Sequence, residues 1–76
     1  LLVISSSGDS KNIIKAIETA YSNELIVLSF TGFNGGMAKK MAHINIHVES
    51  HNYGIVEDIH QSLMHILAQY IRHQNM

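Results

Sequence analysis

Apolar positions along the chain fall first into short continuous runs. Leu1–Ile4 is one, and Leu25–Leu28, extending to Thr31, is another. Runs that are apolar on both faces suit strands covered on both sides, as in parallel sheets. A third segment alternates: Ile44, Ile46 and Val48 are separated by Asn45 and His47. That strand is expected to carry one polar face or to lie nearer a sheet edge. The spacing switches to three and four between and after these runs. It predicts a helix from about Ser10 to Ser22, with Ser10 as N-cap and Ile13, Ile14, Ile17 and Ala20 as its buried stripe. A short helix is expected from about Gly36 to Met41. The longest runs from about Ile55 to His73, with Val56, Ile59, Leu63, Ile66, Leu67 and Tyr70 along one side. Glu57 and Asp58 are read into its first turn and Arg72 near its last, which matches the helix dipole. Thr31–Gly36 and Glu49–Gly54, with their Gly and Asn residues, read as loops.

The order β-α-β-α-β-α predicts an α/β fold. A parallel sheet is expected with right-handed crossovers and helices on both faces, a three-layer sandwich of flavodoxin or Rossmann-like type. Three strands leave two open edges and an uncovered face. The chain has 76 residues, lacks an initiator Met and opens on Leu1 within a strand. Chains of this size bury only roughly 60% of their unfolded surface. The expectation is a partial domain whose remaining sheet is supplied elsewhere.

Composition removes several function classes. A net charge of −1 with both signs mixed argues against nucleic acid, which selects a basic stripe. The absence of Cys excludes disulfides and thiolate metal sites. No apolar run approaches the roughly 20 residues of a membrane span, and no signal peptide is visible. No membrane partner is expected, and cytoplasm is the default location.

The candidate chemistry begins directly behind the first strand. Ser5, Ser6, Ser7 and Ser10 cluster around Gly8 just before a helix starts. Backbone N–H groups and hydroxyls gathered at a helix N-terminus form an anion pocket, and α/β sheets bind ligands at the carboxyl ends of their strands. A serine-rich turn with a plain N-cap has the same spacing. The run is not a Walker loop, and the single Gly8 makes no dinucleotide fingerprint. On the third helix, Glu57, Gln61 and His65 recur every four residues as one polar stripe. Glu57 and His65 stand about 12 Å apart along the axis, whereas metal bonds are near 2 Å. They cannot chelate one ion from the same helix. Gln61 and His65, at i and i+4, can share one.

The run Ile4-Ser5-Ser6-Ser7-Gly8-Asp9-Ser10-Lys11-Asn12-Ile13-Ile14-Lys15-Ala16-Ile17 closely resembles the phosphate loop and following helix of SIS (sugar isomerase) domains, in their phosphoheptose isomerase branch. Thr31-Gly32-Phe33-Asn34-Gly35-Gly36 is similar to that branch's Thr-Gly-x-x-Gly-Gly turn. Glu57-Asp58-Ile59-His60, with Met64-His65-Ile66-Leu67, is similar to its C-terminal active-site helix. The resemblance implies that residues 1–76 are the C-terminal part of a single SIS domain. It assigns the sugar phosphate to Ser5, Ser6, Ser7 and Ser10, and acid/base or zinc-binding duty to His65. Glu57 stands where the family has a Gln site residue, a departure that keeps a polar group there but adds charge. Zinc held by Glu57 and His65 would draw them from different subunits. The family's second catalytic carboxylate lies upstream of this segment.

Two functions follow as expectations. The first is an aldose–ketose isomerase of a phosphorylated sugar, with sedoheptulose 7-phosphate as the implied substrate and a homo-oligomer, commonly a tetramer, as the implied assembly. Catalytic duty falls to His65 and Glu57. The second is a non-catalytic SIS domain that binds a sugar phosphate or a regulatory protein partner. A plain α/β fragment with a serine-rich turn is the third reading. Other His residues have structural expectations: His60 beside Glu57 at i+3, His43 and His47 on the third strand, His51 in a loop and His73 at the frayed end.

Overall fold

The computed structural model describes residues 1–75; Met76 lies outside the described residues. The elements alternate: β1 (Leu2–Ser5), α1 (Lys11–Ser22), β2 (Leu28–Thr31), α2 (Gly36–Met41), β3 (Ile44–His47) and α3 (Tyr53–Gln74). The three strands form one parallel sheet in the order β1-β2-β3. Register aligns Val3 with Ser29 and Asn45, and Ile4 with Phe30 and Ile46. Side chains in one row share a face, and these adjacent rows point to opposite faces of the sheet. Val3 meets Ile17, Ala20, Val27 and Ala38 in a buried cluster under α1 and α2. On the other face Phe30 is fully buried and packs beside His60 of α3, with ring centroids 6.1 Å apart. The α/β three-layer arrangement expected from the sequence is the one observed.

Helix α1 starts as its sequence predicts. The Ser10 side chain accepts from the Ile13 amide at 3.2 Å, and Ile17 and Ala20 are buried beneath it. Strand β2 begins later than the apolar run does. The Leu25 amide is spent closing α1, donating to the Ala20 carbonyl at 2.9 Å, and Glu24 just before it has a positive φ of 58°. The chain therefore joins the sheet only at Leu28, leaving Leu25 and Ile26 exposed.

Strand β3 lies at an edge and has a polar face, but that face points inward. Asn45 Nδ2 donates to Ser29 Oγ at 2.8 Å and to Thr31 Oγ1 at 3.0 Å, while Thr31 Oγ1 bonds His47 Nδ1 at 2.8 Å. Ser29 Oγ in turn donates to the Ala38 carbonyl at 3.0 Å. Ile44 and Ile46 lie on the Phe30 face of the sheet, where α3 leaves them exposed. Alternation gives the period of a strand but not which of its faces meets the core.

Helix α3 starts at Tyr53, two residues before the expected Ile55, because the Asn52 side chain accepts from the Ile55 amide at 3.2 Å. Glu57 and Asp58 consequently fall past the first turn, and the expected dipole match at this end is absent. Gly32 brings the helix close: a Cβ there would stand 2.5 Å from Val56 Cγ1. Val56 and His60 are buried, Leu63 and Leu67 half-buried, and Ile59, Ile66 and Tyr70 exposed. Strands of four residues span about 13 Å, whereas a 22-residue helix spans about 33 Å. The C-terminal half of α3 overhangs the sheet.

Candidate functional site

The serine loop between β1 and α1 is built onto the glycine turn between β2 and α2. The Gly32 amide donates to the Ser6 carbonyl at 2.9 Å, and the Ala38 amide to the Gly8 carbonyl at 3.0 Å. Asp9 Oδ1 accepts from the Met37 amide at 2.9 Å, at the start of α2. Gly8 has φ of 74° and is buried, and a Cβ on it would collide with the Gly35 carbonyl. The two sequence motifs are thus halves of one backbone arrangement.

Within this loop the Ser5 hydroxyl accepts from the Gly8 amide at 3.0 Å, and the Ser10 hydroxyl caps α1. Each keeps its own hydrogen to donate, because a hydroxyl can accept and donate together. Ser6 is half-buried and Ser7 exposed; among the described residues neither hydroxyl has a protein partner. Nor do the amides of Ser6, Ser7, Asp9, Ser10, Lys11 and Asn12 donate to a protein acceptor among those residues. The last two belong to the first turn of α1, where the partial positive charge of the dipole gathers. The loop therefore offers amides and hydroxyls to an anion.

A cavity of about 240 Å³ adjoins the loop, lined by Ile4, Ser6, Glu57, His60, Gln61 and Met64. It brings one of the four serines together with Glu57. His65 does not line this cavity. It is exposed one turn further on, and its Nε2 lies 3.3 Å from Gln61 Nε2. An amide nitrogen only donates, so His65 Nε2 is the acceptor of that pair. Gln61 and His60, which the sequence did not assign to a substrate site, are in the cavity wall. Their signal was spacing: Glu57, His60, Gln61 and Met64 occupy one helix face at i, i+3, i+4 and i+7. His60 does not pair with Glu57; its Nε2 goes to the Thr31 carbonyl at 2.9 Å. A larger cavity of about 430 Å³ lies against α1 and the chain start, with Lys15 as its one charged wall residue.

Metal ligation has a restricted donor set. No group of three or more His, Cys, Asp or Glu side chains occurs among the described residues. Glu57 and His65 are two turns apart on one helix, so a single copy does not fit a zinc ion. Three other His residues have structural partners: His43 Nδ1 accepts from the Val27 amide at 2.9 Å, His47 bonds Thr31, and His51 meets the Phe33 ring edge-on. No helix among the described residues is long and apolar enough to cross a membrane.

No protein-family model matches the chain. It is similar to the phosphoheptose isomerase of Buchnera aphidicola subsp. Schizaphis graminum, 40% identical over 68 residues that cover 88% of this chain and 35% of that protein. It is also similar to the phosphoheptose isomerase of Yersinia pestis (strain Pestoides F), 44% identical over 72 residues, covering 93% of this chain and 37% of that protein. Among solved structures, a phosphoheptose isomerase from Francisella tularensis superposes with a TM-score of 0.85 at 38% identity, over 91% of this chain and 38% of that one. The chain spans little more than a third of the length of the curated relatives it matches.

Proposed function

We propose that this chain is the phosphate-binding and acid/base segment of a phosphoheptose isomerase, which converts sedoheptulose 7-phosphate to heptose 7-phosphate for surface-polysaccharide precursors. One observation carries the reading. The loop with free amides and hydroxyls shares Ser6 with the cavity that holds Glu57. Similarity to phosphoheptose isomerases in sequence and backbone supports it independently.

In this reading the phosphate accepts from the loop amides and from the hydroxyls of Ser5, Ser6, Ser7 and Ser10. The sugar chain then lies along α3. Aldose–ketose exchange removes a proton from the carbon beside the carbonyl and delivers one to the carbonyl oxygen, giving an enediol; the other enediol hydroxyl then loses its proton as the former carbonyl carbon gains one, which completes the shift. His65, one turn beyond the cavity wall, is the assigned acid/base, and Gln61 releases its Nε2 before that atom exchanges a proton. Glu57 stands inside the cavity as the second proton-handling group. The remaining walls of the site come from outside this segment. The same reading makes the protein a cytoplasmic homotetramer; Ile66, Tyr70 and Ile71 of α3 are exposed and offer an apolar surface for association.

Turnover of sedoheptulose 7-phosphate by the full-length protein tests this directly. His65→Ala is expected to lower kcat by about 100-fold or more, the usual contribution of a positioned acid/base. Glu57→Ala, which removes the polar group from the cavity wall, is expected to lower kcat. Unchanged turnover in His65→Ala would remove His65 from the chemistry.

A further inference from the structure

His60 is a buried side chain that the proposed proton transfers leave unused. It is only 3% exposed, yet it lines the cavity beside Ser6, Glu57 and Gln61. Its Nε2 lies 2.9 Å from the Thr31 carbonyl oxygen. A carbonyl oxygen only accepts, so Nε2 carries the hydrogen. In the neutral imidazole that leaves Nδ1 as a bare acceptor. No protein group bonds Nδ1 among the described residues. Yet no buried side-chain nitrogen or oxygen among them lacks a partner, so Nδ1 is not sealed in. The cavity that His60 lines is the space from which a ligand can reach the ring.

The ring is also held against turning. Phe30 packs beside it, and Thr31 is fully buried with Oγ1 tied to Asn45 and His47. The sheet thereby fixes the tautomer and the orientation of an acceptor in the cavity wall. Gln61 engages His65, and Glu57 is an acceptor when ionised. The ligand that satisfies this wall supplies donors, as the hydroxyls of a sugar chain do.

We infer that His60 is a specificity-determining residue whose Nδ1 accepts a hydrogen bond from a hydroxyl of the phosphorylated sugar. This role rests on the sugar-phosphate function proposed for the site and adds a contact to it. It separates the two ends of the ligand: the loop reads phosphate, and His60 reads the polyol chain.

The test is steady-state kinetics of the full-length protein with His60→Gln. Gln keeps a donor for the Thr31 carbonyl and carries its acceptor on the amide oxygen, one bond further along the side chain than Nδ1, so the acceptor no longer stands at the Nδ1 position. KM for sedoheptulose 7-phosphate is expected to rise about tenfold, the scale of one lost neutral hydrogen bond. Inhibition by inorganic phosphate is expected to stay as in wild type. Wild-type turnover with an unaltered KM in a folded His60→Gln protein overturns the contact and leaves the isomerase reading standing. A wild-type protein that neither turns over the sugar phosphate nor binds phosphate overturns both. The second measurement needs no variant. In ¹⁵N-histidine spectra of wild type, the His60 Nδ1 resonance is expected to move when the non-reacting sugar-alcohol phosphate is added, but not with inorganic phosphate. If the variant does not fold, this spectrum decides, and a resonance that ignores the polyol phosphate overturns the proposal.

Discussion

Gly8 shows how closely stability and binding are joined in this loop. Its φ of 74° and its contact with the Gly35 carbonyl leave no room for a Cβ. Gly8→Ala is expected to cost more than about 2 kcal/mol, through left-handed strain and displacement of the glycine turn. Urea unfolding checks it. Ser7 behaves oppositely, being exposed and without a protein partner among the described residues. Ser7→Ala is expected to leave the unfolding midpoint in place while weakening sugar-phosphate affinity about tenfold, since a hydrogen bond to a charged group is worth about 1.5–3 kcal/mol. The four serines and Gly8 were legible in the sequence because Ser, Gly and a helix start have fixed backbone roles. Their division of labour was not. Only coordinates show that Ser5 and Ser10 accept from backbone amides while Ser6 faces the cavity.

At the scale of elements, the contact between β2 and α3 positions the site. Phe30 and Val56 are both fully buried there, and the Thr31 carbonyl holds His60. Phe30→Ala is expected to destabilise the protein by about 3–5 kcal/mol. Asn52→Ala removes the α3 cap and is expected to cost about 1 kcal/mol. Thermal or urea unfolding measures both. The order of the six elements followed from runs and spacings, and α1 and α2 match their expected bounds. The misses have physical causes. Gly54 resembled loop punctuation but sits in the first turn of α3, because Asn52 supplies the cap. The apolar Leu25 and Ile26 resembled strand, but the backbone there is closing α1. The inward polar face of β3 depends on Ser29 and Thr31 one strand away, a pairing that local pattern does not encode.

The described residues form a slab, 37 × 33 × 16 Å, with a radius of gyration of 12.7 Å. A compact domain of this length has a radius of about 11.4 Å. The excess reflects α3 running past the short strands. Ile44 and Ile46 on the sheet, and Ile66, Tyr70 and Ile71 on α3, are left exposed. Side chains of this kind join subunits in obligate assemblies. For the full-length protein, Ile66→Glu with Ile71→Glu is expected to lower the sedimenting mass below that of wild type while the serine loop still binds phosphate. Unchanged mass would put the subunit contact elsewhere.

The measurement closest to the centre of the account is amide hydrogen exchange across residues 6–12, with and without sedoheptulose 7-phosphate. Apart from that of Gly8, which Ser5 accepts, those backbone hydrogens have no protein acceptor among the described residues. A phosphate seated on them would slow their exchange, with smaller changes along α1 beyond its first turn. Exchange left untouched by saturating ligand would contradict the account at its root.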